Sequence, residues 1–489
     1  MTRMVTILDG AMGTMLMRAG LEPGKRPELL SLTAPDVVGR VNGAYVRAGA
    51  GMILANTFGA NARKLEGTGR SPEEVIAASV SIALRAAEGS GAAVALDIGP
   101  IGELMEPLGG MSFETAYELY AQMIRAGALA GAQAVFFETF SDLNELRAGV
   151  LAARECCALP VFACMTFEKT GHTFLGCRAD AAAMALTGLG VSAVGLNCSL
   201  GPEEAAPILR TMRTATHLPL IFKPNAGKPD PRNGRYAVEP AAFADACAPL
   251  LDIGAAYIGG CCGTTPDFTR ELARRFGGGQ AVWQEEAVRG VCSASAVTAF
   301  GKGICVVGER INPTGNARVK RALTEGDMED IARIAVEQEA AGAQILDVNV
   351  GLPGLDEAEA MRRAVTAISA AATLPLQIDS SNPAAIEAGL RAAPGKCIVN
   401  SVNASRASLE TVLPLAQKYG AAIIALTVGE SGLPENAGER MLLAGRILAA
   451  ARSAGIERHD VIVDCLTLTV SAQQDQTGET LEAVRRVSR

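Results

Sequence analysis

Aromatic and histidine residues are scarce in this 489-residue sequence, which contains one Trp, six Tyr and three His. Charged residues make up only 20% of the chain, and the net charge is −8. A protein that binds nucleic acid needs a basic surface to neutralise phosphates and aromatic rings to stack on bases. The composition therefore excludes nucleic-acid binding as a function class, and we expect no nucleic-acid partner.

Membrane and export signals are also lacking. The N-terminus has no basic stretch followed by a long apolar run. Residues 181–202 carry no charge, but their glycines predict a helix end, a turn and a buried strand rather than a membrane span. Twelve Cys without an export signal indicate a reducing compartment. We therefore expect a cytoplasmic protein with no membrane partner.

Short apolar strands alternate with Ala-rich helices along the first half of the chain. Strands that are apolar on both faces are typical of a parallel sheet covered by helices. The predicted strands are Val5–Leu8, Gly51–Ala55, Ala93–Asp97, Ala134–Glu138, Pro160–Met165, Ala193–Asn197, Leu220–Lys223 and Ala256–Gly259. Eight such units in about 270 residues favour a (β/α)8 barrel, with a doubly wound open sheet as the alternative.

The same alternation restarts after a stretch without clear periodicity. The predicted strands are Ile304–Val307, Gln344–Asn349, Leu376–Asp379, Cys397–Asn400, Ala422–Leu426 and Val461–Asp464. The predicted fold is therefore α/β, with two consecutive (β/α)8 TIM barrels, the second truncated after about six βα units. We predict a first barrel over residues 1–285, a linker over 286–300 and the incomplete barrel over 301–489.

Three cysteines follow strands of the first barrel, at the end where such barrels place their active sites. Cys198 follows the sixth strand, and Cys261 and Cys262 follow the eighth. Three thiolates with one open position are typical of a catalytic zinc site, which suits the activation of a substrate thiol. The alternative is three buried cysteines that bind no metal.

Carboxylates follow two other strands of the first barrel. Asp9 and the flexible Gly10 end the first strand, and Glu138 ends the fourth. Two acids suit the ammonium group of an amino acid, and the glycine lets the backbone approach a ligand closely. The alternative is that each acid caps the helix that follows it.

The first half resembles the homocysteine-binding barrel of the homocysteine S-methyltransferases over residues 1 to about 275. The motifs that carry this resemblance are Asp9–Thr14, Ala55–Phe58, Asn197–Cys198 and Gly259–Thr264. The residues that the resemblance implies are the zinc ligands Cys198, Cys261 and Cys262 and the homocysteine contacts Asp9, Gly10 and Glu138. Residues 1–285 would then be a homocysteine-binding zinc barrel.

Polar side chains recur at the strand ends of the second half. They are Asp347, Asn349, Asp379, Asn400 and Asp464. Carboxylates and amides can pair with the amino-pyrimidinone edge of a pterin, which offers N–H donors and a carbonyl acceptor. The alternative is that these residues cap helices or close turns.

This half is similar to the pterin-binding family that includes methyltetrahydrofolate methyltransferases. The motifs are Gly308–Gly315, Asp347–Val350 and Ile378–Ser380. The resemblance implies that Asp379, Asn400 and Asp464 grip the pterin ring, with Asn349 and Asp347 as further contacts. The family also places an Asn after its seventh strand, which this sequence does not reach.

The order of the two halves resembles the N-terminal half of the cobalamin-dependent methionine synthase family. It implies methyl transfer from 5-methyltetrahydrofolate to homocysteine by way of methylcobalamin. No His of this sequence lies in the family's Asp-x-His-x-x-Gly cobalt motif, so the cobalamin belongs to a separate corrinoid-binding module or protein. The alternatives are a homocysteine S-methyltransferase that uses another donor, with an inactive second barrel, and a non-catalytic scaffold that docks a corrinoid protein.

Overall fold

The chain divides into two compact units, Met1–Val288 and Arg289–Arg489. The computed structural model describes residues 1–22, 24–230, 232, 234, 236–284, 289–301, 303–468, 471 and 473–488. No helix in these ranges is both long and apolar enough to cross a bilayer. The uncharged segment 181–202 instead contains most of one helix and a whole buried strand, as predicted.

The first unit alternates strands and helices throughout its length. Its strands are β1 (Thr2–Met4), β2 (Thr6–Ile7), β3 (Met52–Leu54), β4 (Ala93–Ile98), β5 (Ala134–Phe140), β6 (Val161–Met165), β7 (Ala193–Asn197), β8 (Leu220–Lys223), β9 (Ala255–Ile258) and β10 (Gln280–Val282). Its helices are α1 (Met12–Arg18), α2 (Leu30–Thr33), α3 (Pro35–Arg47), α4 (Ala62–Leu65), α5 (Pro72–Ala87), α6 (Phe113–Leu129), α7 (Leu143–Cys156), α8 (Ala179–Gly188), α9 (Pro202–Arg213), α10 (Pro240–Cys247) and α11 (Pro266–Phe276).

Eight parallel strands of this unit close into a barrel. Their order is β2-β9-β8-β7-β6-β5-β4-β3. A parallel bridge between Leu8 and Met52 joins the two ends, and the Gly51 N–H donates to the Ile7 carbonyl at 2.7 Å. β1 pairs antiparallel with β10 outside this sheet. The prediction of a (β/α)8 barrel is confirmed.

Helix starts in the first unit follow simple capping chemistry. The Ser71 hydroxyl accepts a hydrogen bond from the Glu74 N–H at 3.2 Å at the start of α5. The Asp142 carboxylate accepts from the Asn144 N–H at 2.7 Å at the start of α7. Such caps satisfy backbone N–H groups that have no partner inside the helix. They fix where each helix leaves the loop at the carboxyl end of its strand.

The second unit has a six-stranded parallel sheet and a separate two-stranded hairpin. The strands of the hairpin are β11 (Gly290–Cys292) and β12 (Val297–Ala299). Those of the sheet are β13 (Val307–Ile311), β14 (Ile345–Val348), β15 (Leu376–Asp379), β16 (Ile398–Asn403), β17 (Ala422–Leu426) and β18 (Val461–Asp464). Its helices are α12 (Ala317–Glu325), α13 (Met328–Ala340), α14 (Glu357–Ala371), α15 (Pro383–Ala392), α16 (Arg406–Tyr419), α17 (Ala437–Ser453) and α18 (Gln476–Val487). The sheet runs in sequence order from β13 to β18, so these two strands are its edges. This agrees with the predicted barrel that stops after six units.

The first strand of this sheet lies further along the chain than predicted. The prediction of a strand over Ile304–Val307 is wrong, because Ile304 is 93% exposed and β13 begins at Val307. Pairing with β14 begins at Val307 and continues through Gly308. A Cβ on Gly308 would lie 2.7 Å from Gln338 Oε1, so this position packs closely against α13. The apolar run therefore precedes the strand instead of forming it.

Part of the segment predicted to be a linker is an ordered hairpin. Strands β11 and β12 pair antiparallel, and the buried Val291 packs with Ile345, Ile398 and Ala422 of the second sheet. The Cys292 N–H also donates to the Lys396 carbonyl at 3.1 Å. The start of the predicted linker, residues 286–288, lies outside the described residues.

Candidate metal centre and amino-acid site

A cavity of about 1120 Å³ opens at the carboxyl ends of the first barrel's strands. All six residues predicted for this half line it: Asp9, Gly10, Glu138, Cys198, Cys261 and Cys262. Asp97, Lys223, Phe58 and Tyr236 also line it. These residues are up to 253 positions apart in the sequence, and they meet because each follows or ends a strand of the same barrel.

The three cysteines form a compact cluster. Their Sγ atoms all lie within 4.8 Å of one another, and those of Cys198 and Cys262 are 3.8 Å apart. Three sulfur donors at this spacing fit a tetrahedral zinc ion with one position left for a substrate. The donor set is soft, which favours zinc over magnesium or calcium.

Backbone hydrogen bonds from the end of β8 hold the cluster. The Cys198 N–H donates to the Lys223 carbonyl at 3.1 Å, and the Cys261 N–H donates to the Pro224 carbonyl at 2.8 Å. Cys198 has a positive φ of 61°. This left-handed conformation is uncommon for a residue with a side chain, and such conformations occur often at functional sites.

Glycines on both sides of the adjacent cysteines make the close approach possible. A Cβ on Gly260 would lie 2.4 Å from the Thr264 side chain. Gly263 has a φ of +85°, and a Cβ there would lie 2.3 Å from the Tyr236 ring. Any larger residue at these two positions would push against the loop. The turn therefore depends on glycine, as the sequence suggested.

Ionisation of one thiol of the cluster opposes ionisation of the other two. Hydrogen bonds from the Cys261 and Cys262 thiols lower the pKa of Cys198 to about 3. The same interactions with Cys198 raise the pKa of Cys261 and that of Cys262, because a second thiolate would lie beside the first. A divalent cation would be needed to keep all three ionised at neutral pH.

The predicted amino-acid contacts surround a lysine that the sequence analysis did not single out. Lys223 Nζ donates to Glu138 Oε2 at 2.7 Å and lies 3.8 Å from Asp9 Oδ1. Asp9 Oδ2 accepts from the Leu54 N–H at 2.7 Å, whereas its Oδ1 is buried without a hydrogen-bond partner. Asp97 Oδ1 is likewise buried and without a partner. The sequence analysis missed Lys223 and Asp97 as site residues. Each is the last residue of a predicted strand, and this position could have identified them.

Burial and mutual charge set the ionisation of this group. Burial raises the pKa of Asp9 to about 6, although Lys223 opposes the shift. Burial and then Glu138 hold the pKa of Asp97 well above its usual range. Burial alone would lower the pKa of Lys223, but Glu138 and Asp9 raise it overall. The lysine is therefore cationic, and its charge partly offsets the negative charge of the acids around it.

Gly10 leaves the cavity wall free of a side chain. A Cβ there would lie 2.7 Å from Thr264 Oγ1 and 3.0 Å from the Tyr45 ring. The next N–H, from Ala11, donates to Thr264 Oγ1 at 3.2 Å. The backbone of the β2–α1 loop therefore lies directly at the cavity surface.

Four of the five residues predicted for the second half meet in two hydrogen-bonded pairs. Asn349 Nδ2 donates to Asp379 Oδ2 at 2.9 Å, and Asn400 Nδ2 donates to Asp347 Oδ1 at 3.2 Å. Gln377, which the sequence analysis missed, also donates to Asp347. Burial, with the nearby Asp379 charge, raises the pKa of Asp347 to about 7.

The fifth predicted residue, Asp464, lies on the edge strand β18 and is exposed. Its Oδ1 accepts from the Leu466 N–H at 2.8 Å. Within the described part of the chain, its carboxylate has no hydrogen bond to the other four predicted residues. The structure thus gathers four of the five and leaves Asp464 at the open edge of the sheet.

Comparison with protein families agrees with this division. Residues 6–276 match the model for homocysteine S-methyltransferase. The chain belongs to the homocysteine S-methyltransferase family. Residues 308–489 match the model for pterin binding enzyme. The resemblances drawn from the motifs of the two halves are therefore confirmed, and the three-cysteine cluster lies in the half that matches the homocysteine S-methyltransferase model.

Curated relatives include two methionine synthases. The one from Mycobacterium tuberculosis is 31% identical over 526 residues, and the one from Mycobacterium leprae is 30% identical over 528 residues. The alignments cover 100% and 99% of this chain but 44% and 43% of the relatives. The chain thus spans less than half the length of the curated relatives it matches.

A solved structure similar to part of the chain is the homocysteine methyltransferase MmuM from Escherichia coli in its oxidized form. It is 25% identical, with a TM-score of 0.49. The match covers 55% of this chain and 96% of that one.

Proposed function

We propose that this chain transfers a methyl group to homocysteine and forms methionine. The observation that carries the proposal is a single cavity that contains three clustered thiols and the carboxylates of Asp9 and Glu138. A substrate with both a thiol and an ammonium group matches that combination. The similarity to methionine synthases over the whole chain supports the same reaction.

Cys198, Cys261 and Cys262 are the residues that would hold a zinc ion. Zinc bound by three thiolates would remove the proton from a substrate thiol while leaving its sulfur electron-rich enough to attack a methyl group. The close spacing of the three Sγ atoms and the strain at Cys198 support this assignment. Asp9 and Glu138 lie in the same cavity and are left free to bind the substrate's other end.

The amino-acid end of homocysteine would contact the loop after β2 and the end of β5. Asp9 Oδ1 is a buried acceptor without a hydrogen-bond partner, and the ammonium group of the substrate would supply a donor. Glu138 accepts from Lys223 through one oxygen and can accept through the other. Gly10 lines the cavity with its backbone, which the substrate can approach closely.

The methyl group would come from 5-methyltetrahydrofolate bound in the second unit. Asp347, Asn349, Asp379, Asn400 and Asp464 would bind the pterin, and the hydrogen-bonded pairs among four of them support a shared polar surface. Methyl transfer requires reacting atoms about 3 Å apart. Because the two sites belong to different units, we infer that methylcobalamin on a separate corrinoid-binding module or protein carries the methyl group.

Methionine formation from homocysteine tests the proposal. The donors to compare are methylcobalamin, 5-methyltetrahydrofolate with a corrinoid protein, and S-methylmethionine or a betaine. We expect product with methylcobalamin, and with the folate once a corrinoid protein is present. Product with S-methylmethionine or a betaine alone would favour the alternative donor, and no product with any donor would contradict the proposal.

A further inference from the structure

The lysine at the end of β8 is the most buried cation of the first unit's cavity, and nothing in the proposed reaction accounts for it. Its side chain is 2% exposed. A lysine is almost never buried to this degree unless it is paired. Its Nζ lies 2.7 Å from Glu138 Oε2 and 3.8 Å from Asp9 Oδ1, so the ammonium group is paired with both acids.

We propose that Lys223 is a positioning residue of the amino-acid site, whose ammonium group holds Glu138 in place and offsets the charge of Asp9. The cavity can then present both acids to the ammonium group of the substrate. The inference rests on the proposed function, since it takes an amino-acid thiol as the substrate. It concerns recognition of the amine and leaves the metal ligands to their own role.

Charge balance is the first argument. Without Lys223, burial and the charge of Glu138 would raise the pKa of Asp9 further, and Asp9 would take up a proton more readily. A protonated carboxyl group is a poor acceptor for an ammonium group. One fixed cation reduces the repulsion, yet leaves an excess of negative charge that a second, mobile cation can neutralise. The second cation would be the substrate's own ammonium group.

Free acceptor atoms are the second argument. Lys223 occupies Oε2 of Glu138 and lies beyond direct hydrogen-bond distance of Asp9 Oδ1. The Oδ1 atoms of Asp9 and Asp97 are both buried without a partner. Buried acceptors in proteins are nearly always satisfied, so such atoms beside a cavity indicate a donor that arrives with a ligand.

The position of Lys223 on its strand is the third argument. Its main-chain carbonyl accepts from the Cys198 N–H, whereas its side chain reaches the acids. The side chain also lies over the Phe136 ring, with Nζ 5.0 Å from the ring centroid. A substitution of the side chain therefore leaves the main-chain bond to the metal cluster in place.

The test compares two thiols that differ in one group. L-Homocysteine carries the α-ammonium group, and 4-mercaptobutanoate is the same chain without it. Dissociation constants for both are measured by calorimetry on the full zinc-loaded chain and on Lys223→Met, which keeps the side-chain length and removes the charge. We expect Lys223→Met to keep its zinc and lose homocysteine affinity by about tenfold or more. The affinity for 4-mercaptobutanoate should change by less than about twofold.

Three further variants make the result specific. Lys396→Met breaks a similarly buried ion pair, with Asp460, in the second unit, and should leave both affinities unchanged. Lys223→Arg keeps the charge and should restore part of the preference for homocysteine. Asp9→Asn keeps the lysine and removes one of the two acids beside it, so it should also weaken homocysteine binding selectively. It supplies the test if Lys223→Met does not fold.

Equal losses for the two thiols, no loss for either, or loss of zinc from Lys223→Met would overturn the inference. Each of these would mean that the lysine supports the fold or the metal cluster rather than recognition of the amine. The proposed function fails separately, when the unmodified chain binds neither thiol.

Discussion

At the scale of single residues, the cavity combines two kinds of side chain, thiols and carboxylates. Thiols that compete for one negative charge favour a cation, and the pKa of Cys198 is held low while those of its neighbours rise. Carboxylates around a buried lysine favour an amine. The cysteines and the acids could be predicted, because each follows an apolar strand. The pairing of Lys223 with Glu138 could not, since a position at a strand end does not say which of the neighbouring side chains pair with one another.

Replacing one sulfur ligand tests the metal centre. We expect Cys261→Ser to lose most of its zinc, because a serine hydroxyl stays protonated and is a harder, weaker ligand. Metal content by mass spectrometry measures this directly. Cys164→Ser changes a buried cysteine outside the cluster and should retain the metal. Full zinc occupancy in Cys261→Ser would contradict the assignment.

Glu138→Gln tests the amino-acid site. The amide keeps the shape of the side chain and removes the charge that an ammonium group needs. A hydrogen bond to a charged group contributes about 1.5–3 kcal/mol, so homocysteine affinity should fall about ten- to hundredfold. Zinc should stay bound. Loss of zinc together with affinity would show that Glu138 supports the metal centre instead.

The raised pKa of Asp9 predicts a pH-dependent cost to stability. Burial raises this pKa from 3.8 to about 6, so the folded state holds the proton more tightly than the unfolded state. The contribution of Asp9 to stability is therefore full below pH 4 and is lost as the pH rises through about 6. Relative to the unmodified chain, Asp9→Asn should gain in unfolding temperature between pH 5 and pH 7. A pH-independent difference between the two proteins would contradict this.

At the scale of elements, the periodicity of apolar residues predicted both ends of every strand of the first barrel to within two residues. The failures have physical reasons. The apolar run at Ile304 resembles a strand, yet it is exposed and the pairing begins at Val307. The hairpin β11–β12 has too few residues to show periodicity, and its order comes from packing on the second sheet.

Packing of that hairpin predicts a local effect on stability. Val291 is fully buried against Ile345 and Ile398. Val291→Ala removes two methyl groups and leaves a cavity, so the second unit should lose about 1.5–3 kcal/mol of unfolding free energy. Val297→Ala, at a half-buried position on the same hairpin, should cost less. Urea denaturation measures both, and no loss of unfolding free energy in Val291→Ala would mean that the hairpin is not part of this core.

At the scale of the whole molecule, the two units differ in how their sheets end. The first sheet closes on itself through the bridge between Leu8 and Met52, whereas the second ends at β13 and β18. Closure removes unpaired backbone groups, and an open parallel sheet leaves two rows of them. The residues of β13 and β18 are mostly exposed or half-buried, so these two edges face solvent instead of a neighbouring strand. The difference in closure therefore predicts a difference in stability between units.

Limited proteolysis and folate titration of the 489-residue chain test that difference. We expect the first unit to resist cleavage, more so with zinc bound, because ligand binding stabilises the folded state. The second unit should be cut first, and 5-methyltetrahydrofolate should bind it weakly, since Asp464 is exposed on the edge strand β18 and its carboxylate accepts from the Leu466 N–H. Extending the chain by two βα units that pair with β13 and β18 should restore both protease resistance and folate binding. Tight folate binding with a protease-resistant second unit in the 489-residue chain would instead mean that six strands suffice to assemble the pterin site.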